Sequence, residues 1–422
     1  MELGVRRRAV ASAVLTVGLL ALRTPAATPV SQSTVSQGTG PDLVSGSAYL
    51  VAPANLIDGE YYESFPGSAD FGLTIDGALA LAATGDDDAA LRKIVAFIAD
   101  DGKDPSGDTV NEWTGIGTSN ASGGAIGKEA LLAEVVGDNP RSFGGHNLIA
   151  ALDASVCTQR SHGSNNSCPG TGSYLNDASM FDQALGVMAQ FRAGQASDAA
   201  APVAYLESLQ SANGSFPSLI PPSGGPDVDS TAMAVMALAL APGARAAHDV
   251  TAGLGWIASQ QEHNGGFSTA GAESTNSTAL AIQALTLRAG RYRTRIGAAL
   301  TFLAGQQDGN GGFNADAGQP GSDLRASTQA VGGAVGTSFG TLRIDLNHPV
   351  AGTSPRREKN GAGAHVGVLS GALLALVIAG PVVAVAVIAL ILRLFLRRRR
   401  GPDRTAGSAE PPPPPPSPKA GP

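Results

Sequence analysis

The chain has 422 residues, a formal charge of −7, 43% hydrophobic and 15% charged residues. That length and apolar content allow a large buried core, and the acidic balance excludes a nucleic acid held through its phosphates. Two cysteines exclude a disulfide-dense scaffold.

Arg6, Arg7 and Arg8 precede an apolar stretch from Ala9 to Leu22, with small residues running through Ala27. A basic start, a short apolar run and a small-residue end predict a secretory signal peptide over residues 1–27. The run is too short to cross a bilayer as an anchor. Residues 28–44, rich in Ser, Thr, Gly and Pro, read as a linker.

Between residues 45 and 340 the chain repeats itself. Gln210 to Phe216 reads QSANGSF, Gln261 to Phe267 reads QEHNGGF, and Gln307 to Phe313 reads QDGNGGF. Each is followed by a polar loop and an alanine-rich run, such as DSTAMAVMALAL from Asp229 or NSTALAIQAL from Asn276. Self-similarity at about 50 residues means one supersecondary unit used repeatedly. Aligned on the starts of the apolar runs, Asp76, Lys128, Asp182, Thr231, Thr278 and Thr328 mark six units.

Each unit reads as two helices. One is amphipathic, as in LGWIASQQ from Leu254, with apolar residues at i, i+3 and i+4. The glycine after it stops it in the left-handed conformation. The other, such as TAMAVMALAL from Thr231, is apolar almost all round and must be buried. Buried helices alternating with amphipathic ones, six of each, predict an all-α fold: an (α/α)6 toroid with an inner ring inside an outer ring. The Phe of each phrase would plug the turn between the two helices.

Asp86, Asp87 and Asp88 suit the start of an outer helix, where negative charge meets the N-terminal dipole. Asp100, Asp101, Asp104 and Asp108 are spaced too irregularly to define a calcium loop. Cys157 and Cys168 lie in a Gly/Asn/Ser-rich loop. Outside the cell this pair predicts a disulfide closing a small loop, worth about 3 kcal/mol in the chain-entropy model. With only His162 nearby as a third ligand, the pair does not predict zinc. No metal site and no cofactor follows from the sequence.

Residues 341–365 read as a second linker. Val366 to Leu392 carries no charge and is long enough to cross a membrane. Pro381 falls in its middle, and Arg393 and Arg397 to Arg400 follow it. The positive flank predicts a cytoplasmic tail over 393–422, with the toroid outside. That tail ends in Pro411 to Pro416, a polyproline II segment without a core.

The QxxNGxF phrase followed by a DST-type helix start resembles the repeat of the superfamily containing terpenoid cyclases, protein prenyltransferase β subunits and transcobalamin/intrinsic factor. The resemblance covers about 300 of the 422 residues. It implies that all inner-helix N-termini open at one mouth. Asp76, Asp182, Asp229, Thr231, Thr278 and Thr328 at those starts are candidate ligand residues, with helix capping as the alternative.

Asp227-Val228-Asp229-Ser230 resembles the DxDD motif of class II terpenoid cyclases, in which the central Asp protonates an alkene. Asp229 matches that acid and Asp227 the first Asp, while Ser230 replaces the last one. The resulting cation needs aromatic faces, and aromatic residues are 5% of the chain. The zinc set of the prenyltransferases has no counterpart here, and the β-rich half that completes a transcobalamin-type clamp is absent.

Two readings follow. One is a membrane-anchored ligand-binding or interaction module, taking a small hydrophobic or corrinoid ligand or a partner membrane protein. The other is a class II terpenoid cyclase-like enzyme with Asp229 as general acid.

Overall fold

A computed structural model describes residues 40–346, apart from 164, 165, 224 and 270. The stretches expected to be a signal peptide (1–27), a membrane span (366–392) and a cytoplasmic tail (393–422) lie outside the described residues. Among the described residues no helix is long and apolar enough to cross a membrane.

The helices in chain order are α1 (Leu43–Leu50), α2 (Phe71–Thr84), α3 (Asp88–Ala99), α4 (Val110–Thr114), α5 (Gly123–Val136), α6 (Leu148–Ala154) and α7 (Met180–Arg192). They continue with α8 (Ala200–Ser208), α9 (Val228–Leu238), α10 (Ala244–Ser259), α11 (Thr275–Leu285), α12 (Ala289–Gln306) and α13 (Leu324–Ala334). The inner ring is α2, α5, α7, α9, α11 and α13. Each packs on the next, and α13 packs on α2, which closes the ring. The outer helices α1, α3, α6, α8, α10 and α12 each pack against it.

Composition explains the two roles. In α9 every residue from Ser230 to Leu238 is buried, with alanines between the larger side chains letting neighbours approach. In α10 the buried Ala246, Val250, Leu254 and Ile257 form one stripe and the opposite face is solvated. At the α3 start, Asp87 caps the helix by accepting the Ala90 N–H at 2.9 Å.

The phrase itself makes the joints between units. The side-chain amides of Gln210, Gln261 and Gln307 donate to Asp249 O, Arg295 O and Asp42 O respectively, each at 2.8 Å. Asp249 and Arg295 belong to the next outer helix, and Asp42 is the N-cap of α1. The last unit therefore grips the first with the bond that joins the others. Gly214, Gly265 and Gly311 have φ near +90° and lie on the carbonyls of Ala252, Ala298 and Ser45, where a Cβ would collide. Phe216, Phe267 and Phe313 are fully buried behind them.

Three details differ from the sequence expectation. First, short antiparallel ribbons precede three inner helices: β1 (Leu56–Ile57), β2 (Tyr61–Phe65) and β3 (Ser68–Ala69), then β4 (Phe267–Thr269) with β5 (Ala272–Ser274), then β6 (Phe313–Asn314) with β7 (Ser322–Asp323). Loops entering a buried helix must pair their backbone groups, and the ribbon does so. Second, the inner helices begin earlier than Asp76, Lys128 or Asp182. Third, ordered structure reaches back into the 28–44 linker at α1 and forward past 340. Phe339, Leu342 and Leu346 are buried, and Ile344 N–H donates to Val135 O at 2.7 Å. This base segment closes the end of the ring where the inner helices finish.

Cys157 and Cys168 are bonded, with their Cα atoms 5.7 Å apart.

Candidate ligand cavity

The six inner N-caps are Asp70, Ser122, Ser179, Asp227, Ser274 and Asp323. Each accepts the N–H three residues on, which satisfies donors that a buried helix end would otherwise strand. The gathered N-termini bias this mouth toward negative or electron-rich groups.

Inside lies a cavity of about 240 Å³ lined from all six inner helices and from Phe339 of the base segment. The lining follows a register. Phe181, Asn276 and Arg325 stand two residues after their caps, and Asp76, Lys128, Leu185, Met233 and Gln329 stand six after. Such positions share one helix face.

The cavity has two walls. The polar wall runs along α11, α13, α2 and α5 with Asn276, Arg325, Gln329, Asp76 and Lys128. The apolar wall runs along α7 and α9 with Phe181, Leu185 and Met233, above Phe339, and Leu79 of α2 adds an apolar side chain beside Asp76. Lys128 Nζ pairs with Asp76 Oδ1 at 2.7 Å, both mostly shielded. Arg325 Nη2 pairs with Asp70 Oδ2 at 2.7 Å. Burial opposes ionisation of Asp70, yet hydrogen bonds from Ser64 and the Leu73 amide, with the charges of Arg325 and Lys128, hold its pKa below the ordinary carboxylate value. The Asn276 Oδ1 is buried with no hydrogen-bond partner among the described residues. An unpaired buried acceptor favours a ligand that donates to it.

Of the ligand residues expected from sequence, the structure brings Asp76 into the cavity. Thr231 and Thr278 are fully buried and accept the N–H of Phe216 and Phe267 at 3.1 and 3.0 Å. Their hydroxyls tie each plug to the following helix. Thr328 does not share that role, because Ser327 accepts the Phe313 N–H at 2.8 Å while Thr328 donates to Arg325 O. Asp182 completes a capping box with Ser179. Asp227 caps α9 through the Ser230 N–H at 2.6 Å. Asp229 occupies the register of Phe181, Asn276 and Arg325 but is not among the lining residues. Among the described residues no cluster of carboxylates, histidines or cysteines could hold a metal. In the 100–108 loop, Asp104 instead accepts the amides of Ala69, Gly107 and Asp108.

Asn276, Arg325, Gln329, Phe181 and Phe339 were not legible as site residues. The first four become so once the repeats are aligned on the caps rather than on the apolar runs. Phe339 had no sequence signal.

Thr278→Val tests the structural reading. It strands the buried Phe267 N–H and is expected to cost about 1–3 kcal/mol in urea unfolding without altering ligand retention. Unchanged stability with lost ligand would reverse that assignment.

The prenyltransferase alpha-alpha toroid domain family matches residues 170–321. No curated protein matches the chain. Among solved structures, an arginine-to-alanine variant of the type II terpene cyclase MstE from Scytonema, in complex with geranylgeranyl dihydroxybenzoate, superposes with a TM-score of 0.50 at 15% identity. That alignment covers 71% of this chain and 97% of the cyclase. The same cyclase without ligand gives a TM-score of 0.50 at 14% identity over 69% of this chain and 96% of its own. At such identity the likeness concerns the fold. Residues 170–321 are thus similar to the prenyltransferase alpha-alpha toroid domain, and the described chain has a helical toroid fold like that of type II terpene cyclases.

Proposed function

We propose that this protein is a ligand-binding module, held outside the membrane by the uncharged 366–392 run, whose central cavity takes a small amphipathic molecule. The observation that carries this reading is the mixed lining of the cavity: polar side chains come from four consecutive inner helices, and apolar ones come mainly from the other two, with Leu79 of α2 among them. A ligand with one hydrogen-bonding edge and one apolar edge matches it. The Asp76–Lys128 pair and Asn276 would orient the polar edge, and Met233, Leu185 and Phe339 would receive the apolar one.

The volume limits the ligand. About 240 Å³ lies below the range of roughly 300–1,000 Å³ that holds drug-sized molecules. A corrinoid could at most lie across the mouth, and a C20 prenyl chain would not be enclosed. Wall chemistry favours binding over cyclisation, since Asp229, the acid of the cyclase reading, is not among the lining residues and the aromatic lining consists of Phe181 and Phe339. A carbocation would need more aromatic faces than that.

Native mass spectrometry of the purified full chain is the test. The expected result is a retained small molecule that disappears in Met233→Trp and in Gln329→Phe, each of which fills the cavity from a different side. Circular dichroism should show both variants folded. A native chain without retained mass, or retention unaffected by both variants, would overturn the reading.

A further inference from the structure

A second cavity, of about 490 Å³, lies at the base of the ring, between the C-terminal ends of α5 and α7 and the base segment. Three guanidinium groups, Arg141, Arg192 and Arg343, line it together with Glu134 and Asp138. Arg192 is deepest, with its side chain 10% exposed. Its Nη1 donates to Gly340 O at 2.9 Å, and its Nε lies 3.4 Å from Glu134 Oε2. Arg141 Nη2 donates to Ala193 O at 3.0 Å. Arg343 is exposed.

Helix C-termini ordinarily repel anions through their free carbonyls. Here several of those carbonyls are occupied. Val135 O and Val136 O accept the Ile344 and Leu346 amides at 2.7 and 3.1 Å, and Ala193 O accepts Arg141. Each guanidinium has about five N–H donors, so most remain available. Among the described residues Glu134 pairs with Arg192 alone, its Oε2 3.4 Å from Nε, while burial lifts its carboxyl to about 8 against the pull of Arg192, Arg141 and Arg343. It therefore offsets at most one of the three cations.

We propose that this basal cup binds a phosphate group, free in solution or as the head group of an anionic lipid, through Arg141, Arg192 and Arg343. Planar guanidinium forks suit a tetrahedral oxyanion better than lysines do, because each can present two parallel N–H groups. The uncharged run that would enter a membrane begins at Val366, 20 residues beyond Leu346, which keeps the cup within a short tether of a lipid surface.

Calorimetric titration of the full chain in uncharged detergent tests this with two probes, inorganic phosphate and dihexanoyl phosphatidylglycerol. Saturable binding to one or both is expected, weakening as salt rises. The Arg141→Gln/Arg343→Gln double variant alters two exposed side chains and should weaken it at least tenfold at unchanged melting temperature. Arg245→Gln, on an exposed outer helix position, should leave it unchanged. Tighter binding of the lipid than of phosphate identifies a head group, and the reverse identifies a soluble anion. The proposal is overturned if neither probe saturates or if the double variant binds as the native chain does. Equal binding of dihexanoyl phosphatidylcholine and the glycerol lipid would overturn it too.

Discussion

Phe313→Ala is expected to lower the unfolding free energy by about 3–5 kcal/mol, as for other fully buried phenylalanines truncated in a core. This plug stands at the seam of the ring. Its N–H is held by Ser327 Oγ at 2.8 Å, and its ring reaches Gly46 of α1. The same phrase supplies Gln307, whose amide holds Asp42 O and whose Oε1 accepts the Asp42 N–H, both at 2.8 Å. Emptying the Phe313 site therefore loosens first unit from last. Limited proteolysis should cut near α1 in this variant, whereas Phe216→Ala, away from the seam, should lose comparable stability without that cut. A loss below about 1 kcal/mol would mean that the seam is not packed as described.

Gly127→Val is expected to destabilise by about 3 kcal/mol, at the upper end for overpacked cores. Helices α5 and α7 touch backbone to backbone at this point. A Cβ on Gly127 would stand 2.8 Å from Gly186 Cα and N, atoms that cannot turn aside as a side chain can. The helices would have to separate, carrying the neighbouring Lys128 away from Asp76. Thermal unfolding and ligand retention should therefore fall together. Gly255→Ala is the counterpart. It lies exposed in α10 with nothing within 4 Å of an added Cβ, and should gain about 0.5–1 kcal/mol from helix propensity. Equal outcomes for the two glycines would show that close approach of α5 and α7 is not what holds this part of the ring.

The repeat phrase was legible because its requirements are local. A glycine at φ near +90°, an amide-bearing Gln and a buried Phe are needed at fixed offsets wherever one outer helix ends. The hydroxyl at the start of each inner helix was legible as a type but not as a role, since Thr231 and Thr278 serve the preceding plug rather than the cavity. A one-residue slip at Thr328 followed from aligning apolar runs, whereas the caps set the register. The base segment carries no repeat and reads as linker by composition. Its burial depends on an opening that exists only once six helices surround it.

By itself the sequence determined the repeating unit, the division into buried and amphipathic helices, and the count that lets the chain return to its start. Period and hydrophobicity act over a few turns of helix, so a linear reading contains them. Tertiary structure alone decided which side chains meet. Arg325 finds Asp70 across 255 residues of chain, and Phe339 becomes the cavity floor, because ring closure brings distant segments together. No local pattern encodes such an encounter; it depends on how six repeats sum to one turn.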